Sequence, residues 1–336
     1  MSMEKGARGQ ATPIRWGILG TGRIARTFAQ GLANLPDAAL VAVGSRSSEA
    51  AAAFGDEFAV PHRHASYEGL AADPEVDAVY VATPHSLHRD NSLLCLEAGK
   101  AVLCEKPFAI NGGQAEEVVA LARKRGRLVM EAMWTRFLPA IVRVRELLAE
   151  GAIGEVRLLS ADFGFRAPFD PHGRLFDPHL GGGALLDVGV YTVSLASMVF
   201  GPPARVTSMA HLGPTGVDEQ AAVALGYEQG QLAVLSTAVR TSTPQEAIVM
   251  GTGGHIRIHS QWWHPTMLTL SVEGREEEHI HLPFEGNGYQ YEAAEVMRCL
   301  RAGRLESEVM PLDETLGVMG TMDQIRAQWG LRYPME

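Results

Sequence analysis

Positive charge is scarce in this sequence: 29 Lys and Arg stand against 39 Asp and Glu, a formal net charge of −10. That balance repels phosphate backbones and anionic lipid, so the chain is read as binding neither nucleic acid nor a membrane surface. Any phosphate it holds must be gripped locally. Uncharged apolar runs are short, none approaching the ~20 residues that cross a bilayer. The opening MSMEKGARGQATP is polar and lacks the apolar segment of a secretory leader. Residues 1–13 therefore read as a flexible tail and the protein as cytoplasmic. Cysteine is confined to Cys95, Cys104 and Cys299. An odd count in a long chain, with Cys104 inside the apolar run Ala101–Cys104, points to buried thiols in a reducing compartment. The sequence has no internal repeat and no low-complexity tract. What is present is 336 residues, 46% hydrophobic and carrying 36 glycines. At roughly 150 residues per domain that length suits about two cores.

The first third alternates strand and helix. Ile14–Leu19, Ala39–Ser45, Asp77–Ala82, Ala101–Cys104 and Arg127–Met130 are short apolar runs suited to strands buried on both faces. Helical periodicity falls between them at Arg23–Leu35, after Ser47-Ser48, at Ser86–Ala98 and at Gln114–Arg125, the last capped by Asn111. Strands separated by helices imply right-handed crossovers, so residues 14–133 are predicted to form a doubly wound parallel α/β sheet. After the helix Pro139–Ala149 the rhythm changes to strand-like runs at Glu155–Phe165, Ala204–His211, Ala221–Tyr227, Gln231–Ala238, Ala247–Met250, His255–His259 and Thr266–Val272. Short Gly-, Thr- and Pro-bearing connections favour an antiparallel sheet. With the helices Leu185–Phe200, Tyr289–Ala302 and Asp313–Trp329, residues 134–336 read as an α+β domain with a largely antiparallel open sheet.

Chemistry concentrates in three places. Gly20-Thr21-Gly22-Arg23-Ile24-Ala25 ends the first strand and opens the first helix. Glycines there let backbone approach a pyrophosphate, and the helix N-terminus offers N–H donors. The end of the second strand carries Ser45 and Arg46 where an NAD site wants an acid. A hydroxyl and a guanidinium suit a 2′-phosphate, with Arg23 able to assist, which selects NADP(H); the alternative is that Arg46 is a solvated loop charge. Cys104-Glu105-Lys106-Pro107 lies at the carboxyl end of a parallel strand, so Glu105 and Lys106 are expected to face the cofactor cleft; the alternative is a surface ion pair. Asp187 and Tyr191, four residues apart after Gly181-Gly182-Gly183, would share a helix face. A nearby ammonium would lower the tyrosine pKa and make an acid–base cluster, whereas alone Tyr191 could be a packing residue. His62 with His64, and His279 with His281, have metal-ligand spacing, but no carboxylate or cysteine completes either set. No metal is expected.

These motifs, in this order, resemble the glucose–fructose oxidoreductase / inositol dehydrogenase / rhizopine catabolism family from Ile14 to about Trp329. Glu131–Phe137 and Gly183–Tyr191 look most like its branch of dimeric dihydrodiol dehydrogenases and NADP-dependent D-xylose dehydrogenases. The resemblance implies a Rossmann domain, a second domain that forms a homodimer through its outer sheet face, and NADP(H). It makes Lys106 the catalytic lysine and Tyr191 the general acid/base with Asp187 beside it. Within Thr83-Pro84-His85-Ser86-Leu87-His88, it places His88 near the nicotinamide pocket and Thr83 and Pro84 along the cofactor. Trp134, Arg136 and Trp263 would fall near the substrate, a sugar or cyclic diol. Inositol-type members carry His at the position of Tyr191 and Asp three residues on, where Ser194 stands. The reading is hydride transfer to or from a CH–OH carbon. Its rivals are keto-sugar reduction by NADPH and a non-catalytic NADP-binding sensor.

Overall fold

The computed structural model describes residues 12–336; the tail expected before Ile14 lies outside the described residues but for its last two positions. Six parallel strands form the first sheet: β1 (Ile14–Leu19), β2 (Ala38–Gly44), β3 (His62–His64), β4 (Ala78–Val81), β5 (Ala101–Glu105) and β6 (Val129–Ala132), in the order β3-β2-β1-β4-β5-β6. The order reverses between β1 and β4, and open α/β sheets bind ligands in the crevice beyond such a switch point. The crossover helices are α1 (Arg23–Leu32), α2 (Ser48–Phe58), α3 (Tyr67–Ala71), α4 (His88–Glu97) and α5 (Gly112–Arg125). Local chemistry starts and stops them. Ser47 Oγ accepts from Ala50 N–H at 3.1 Å, Ser66 Oγ from Gly69 N–H at 3.0 Å, and Asn111 Oδ1 from Gln114 N–H at 2.8 Å. Gly126 ends α5 in the left-handed conformation. Short β3 and α3 escape the sequence reading because His62-Arg63-His64 has no apolar residue to mark a strand.

Helix α6 (Pro139–Ala149) leads into the second sheet, whose eight strands are β7 (Val156–Gly164), β8 (Arg205–Leu212), β9 (Asp218–Gly226), β10 (Leu232–Ala238), β11 (Ala247–Gly251), β12 (Gly254–Ile258), β13 (Met267–Val272) and β14 (Glu278–His281). Their order is β14-β13-β12-β11-β7-β10-β9-β8, antiparallel except for the parallel pair β7–β10. Between β7 and β8 the chain makes a π-turn at Leu185–Gly189 and continues as α7 (Val190–Phe200). The segment Pro178–Phe200 is apolar enough to cross a membrane, yet 78% of its most apolar window is buried inside the protein. It is a core helix. The last helices, α8 (Tyr289–Arg301) and α9 (Leu312–Ala327), return to the first sheet's layer, α8 against α1 and α9 against α5. All three cysteines are free and buried.

Candidate active site

At the switch point a cleft of about 560 Å³ is lined by Gly20, Thr21, Gly22, Ser45, Arg46, Ser47, Tyr67, Thr83 and Pro84. Gly20 sits at φ +99°, and a Cβ there would lie 2.7 Å from the Ala82 carbonyl oxygen, so only glycine keeps this strand–helix corner. Gly22 is the N-cap of α1 and offers no side-chain cap, and a Cβ there would meet only open space. The first N–H groups of α1 therefore face the cleft without a partner side chain, the arrangement that receives a pyrophosphate. Ala25 is fully buried against the sheet, as close helix–sheet packing requires. Ile24 is half-buried behind the turn. Arg23 and Arg46 are exposed at the rim beside buried Ser45. Arg26, not singled out from sequence, pairs with Glu57 at 2.8 Å and donates to the Thr21 carbonyl, bracing the glycine turn. These features fit a dinucleotide.

Beyond the carboxyl end of β5 the charged groups converge. Lys106 Nζ donates to the Asp187 carbonyl oxygen at 2.8 Å, lies 3.7 Å from Asp187 Oδ1, and sits 4.8 Å from the centre of the Tyr191 ring. The π-turn carries Asp187 and helix α7 carries Tyr191, so the structure brings the three together as expected. Burial opposes the Lys106 charge, but Tyr191, Asp187 and Glu105 outweigh it and hold the ammonium pKa up. Burial likewise opposes ionisation of Asp187; Lys106 and Arg174 overcome it, holding this carboxyl well below the usual range. The Lys106–Asp187 pair is ionised.

Tyr191 departs from expectation. Burial raises its pKa more than Lys106 lowers it, so the phenol is held protonated rather than poised as phenolate. Trp134 Nε1 donates to its hydroxyl at 2.9 Å, which partly offsets the burial. Glu105 is buried, which sets aside the alternative of a surface ion pair with Lys106. Tyr80 Oη donates to its Oε1, and Lys106 N–H approaches Oε2 at 3.2 Å. Burial pushes the Glu105 carboxyl up.

The expected substrate residues divide. Trp263 stacks on Phe163 at 3.6 Å between ring centres, and Phe163 lies 5.4 Å from Tyr191, making an aromatic wall beside the phenol. Trp134 is buried, stacked on Tyr289 at 4.4 Å and committed to Tyr191. Arg136 is a correction: its guanidinium is buried on the Ser194 hydroxyl and carbonyl, the Val309 carbonyl and Glu314 Oε1, so it ties α7 to α9 instead of meeting substrate. His88 is fully buried between the Pro107 carbonyl at 2.7 Å and the Thr83 carbonyl at 2.9 Å. It ties together the loops after β4 and β5, a positioning task rather than a contact in the open pocket. Asn91 Nδ2 donates to Thr83 Oγ1 at 3.0 Å and fixes that loop further.

Sequence reasoning also missed groups nearer the reaction centre. Arg174, from the irregular segment after β7, donates to Asp187 Oδ1 at 2.7 Å while staying largely exposed. His85 shares a ring contact with His88 and bonds the Gly181 carbonyl at 3.0 Å; burial lowers its pKa to about 3, keeping it neutral. Glu292 of α8 is buried with neither carboxyl oxygen bonded among the described residues, and burial pushes it well up. Asp218 accepts Leu185 N–H at 2.7 Å and seats the π-turn, crowding Gly183, whose φ of +116° and missing Cβ make room for it. Its pKa is pushed up to about 7 by burial.

One metal expectation is also corrected. Asp73 brings a carboxylate to His62 and His64, at 2.6 Å and 2.9 Å from its Oδ2. It lies nine residues past His64, beyond α3, so strand spacing could not show it.

A glycine turn at a switch point, leading to a lysine, tyrosine and aspartate beside an aromatic wall, defines a nicotinamide-dependent oxidoreductase that acts on CH–OH groups. The chain belongs to the GFO/IDH/MocA oxidoreductase family: residues 14–133 match the model of the oxidoreductase family with NAD-binding Rossmann fold, and residues 141–257 match the GFO/IDH/MocA C-terminal domain. It is 40% identical over 331 residues to the trans-1,2-dihydrobenzene-1,2-diol dehydrogenase of Xenopus tropicalis, covering 95% of this chain and 99% of the relative. Two solved structures are similar. KijD10, a 3-ketoreductase from Actinomadura kijaniata in complex with NADP and TDP-benzene, has a TM-score of 0.84 at 28% identity, covering 94% of this chain and 98% of that one. The aldose–aldose oxidoreductase of Caulobacter crescentus has a TM-score of 0.86 at 26% identity, covering 95% and 98%.

Proposed function

We propose that this protein is an NADP(H)-dependent dehydrogenase that oxidises a cyclic trans-diol or a sugar at a CH–OH carbon. The observation that carries the reading is Lys106 Nζ held between Asp187 and Tyr191 at the end of β5. Gly20, Thr21, Gly22 and the first N–H groups of α1 would hold the pyrophosphate, with Thr83 and Pro84 opposite. Ser45 and Arg46, with Arg23, would take a 2′-phosphate, and Glu105 and Lys106 would border the nicotinamide ribose. When bound, the nicotinamide accepts or returns the hydride.

Tyr191 moves the hydroxyl proton. Its ordinary state is the protonated phenol, ready to donate to a carbonyl oxygen in reduction. In oxidation, the phenol first releases its proton to solvent, the Lys106 ammonium and the Trp134 N–H stabilise the resulting phenolate, and the phenolate then takes the substrate hydroxyl proton as the hydride leaves. Asp187 keeps Lys106 charged and in place. The flat wall of Trp263 and Phe163 suits the ring of an unsaturated diol, and the relative at 40% identity acts on such a diol by name. Keto-sugar reduction is the same chemistry in reverse, and the likeness to a 3-ketoreductase favours it as the second reading.

A dimer through the second sheet completes the proposal. Met209, Leu232 and Val234 are 78%, 50% and 53% exposed on one face of β8, β9 and β10, with Ala222 and Ala224 between them. An apolar sheet face of that kind suits a second copy. The three buried free thiols suit a reducing, cytoplasmic setting.

The test follows nicotinamide absorbance when the purified protein meets NADP⁺ or NAD⁺ and a panel of trans-dihydrodiols, aldoses and inositols. Turnover with NADP⁺ that vanishes in Lys106→Met supports the reading. NADPH binding with no turnover in either direction would leave a sensor.

A further inference from the structure

We infer that His62, His64 and Asp73 form a binding site for a divalent transition-metal ion, one that zinc fills, at the edge of the first sheet. This does not depend on the proposed dehydrogenase reaction. On β3, residues two apart share a face, so His62 and His64 project together while Arg63 turns the other way to pair with Asp56 at 2.6 Å. Asp73 approaches from the turn after α3. Its Oδ1 is engaged by Glu75 N–H at 2.9 Å, which aims Oδ2 at both imidazoles. His62 Nδ1 and His64 Nε2 lie 2.6 Å and 2.9 Å from that single oxygen, and the three candidate ligand atoms all fall within 4.8 Å of one another. Two imidazoles and one carboxylate, with remaining positions open to water, are a donor set that zinc and its neighbours accept. The burial pattern gives an entry path: Asp73 is buried, whereas both histidines are partly exposed.

The site has a structural meaning. Strand β3 has three residues and α3 has five, so neither is stable alone, and a metal would clip the strand to the turn that follows the helix. Tyr67, between the ligands, lines the dinucleotide cleft, and Ser45 N–H donates to the His64 carbonyl at 3.1 Å. Occupancy would therefore stiffen the cleft wall at the end carrying Ser45 and Arg46.

Calorimetric titration of the tag-free, chelator-washed full chain with zinc chloride tests this. Wild type is expected to take up one equivalent of zinc and to melt at a higher temperature with zinc than without. Loss of a supporting outer-shell partner alone costs about 10–100-fold in metal affinity. Removing both imidazoles in His62→Gln/His64→Gln should therefore abolish the uptake and the thermal shift, while far-UV circular dichroism stays unchanged. His62→Gln alone, at the most exposed ligand, serves the same comparison if the double variant does not fold. The absence of saturable zinc uptake in wild type overturns the inference. So does uptake that survives in the variant, which would place the metal elsewhere, such as on His279 and His281.

Discussion

The Trp134 indole N–H donates to the Tyr191 hydroxyl at 2.9 Å, across 57 residues of sequence. Because the phenolic oxygen accepts this bond, its own proton is directed away from the indole. The same bond opposes the burial that raises the Tyr191 pKa.

Trp134→Phe keeps the stacking on Tyr289 and removes only the donor. A hydrogen bond to a developing charge is worth about 1.5–3 kcal/mol, so turnover in oxidation should fall about tenfold or more. With one influence that lowers the Tyr191 pKa gone, the rise of kcat with pH should move to higher pH. A pH–rate profile that keeps its position would show that the bond does not govern proton transfer.

Tyr191→Phe should lower turnover by about a hundredfold or more, the usual worth of one acid/base group. NADPH binding, followed by fluorescence titration, should be unchanged because the phenol does not line the cleft at the glycine turn. Near-normal turnover would move the proton transfer to another group.

Arg174→Ala removes one of two cations that keep Asp187 ionised. Its carboxyl is charged above a depressed pKa and loses that charge as pH falls through it. Raising the pKa should therefore move the acid limb of kcat/KM to higher pH, with little change near pH 8. An unmoved acid limb would place control of Asp187 with Lys106 alone.

Arg46→Ala should weaken NADPH binding about tenfold or more, the loss of one charge-assisted phosphate contact, and leave NADH unchanged. Equal losses for both nucleotides would show that Arg46 does not meet the 2′-phosphate.

Asp218 binds its proton up to about pH 7 in the folded chain, above the usual 3.8. Between those values the unfolded chain has released a proton that the folded chain retains, so stability falls as pH rises through this window and then levels. Asp218→Asn keeps a carbonyl to accept Leu185 N–H. Its melting temperature should fall less between pH 5 and pH 8 than that of wild type in differential scanning calorimetry.

Both sheets were legible in the sequence because their signals are local. Ile14–Leu19 is apolar apart from Arg15, Asn111 and Ser47 each cap a helix by accepting an N–H three residues ahead, and Gly20 and Gly22 mark the corner between the first strand and helix. Lys106 and Tyr191 stood out by motif, yet their electrostatic balance depends on burial, which periodicity does not supply. That is why the Tyr191 pKa shift had the opposite sign to expectation. Arg174 lies in a segment with no repeat to mark its direction, and Asp73 reaches His64 only through a tertiary turn. Arg136 is placed near the substrate by the family resemblance alone, whereas Ser194 and Glu314 claim it from 58 and 178 residues away.

The return of α8 and α9 to the first sheet has a consequence for how such a molecule can be cut. Asn287 Nδ2 donates to the Thr27 carbonyl at 2.7 Å, and Asp323 Oδ2 accepts Gly112 N–H at 2.7 Å. A break after β6 would strip apolar cover from α1 and α5 together. The nucleotide-binding half is thus not a cassette removable at one junction: grafting it onto another substrate domain would require splicing at two places, with the closing helices carried along.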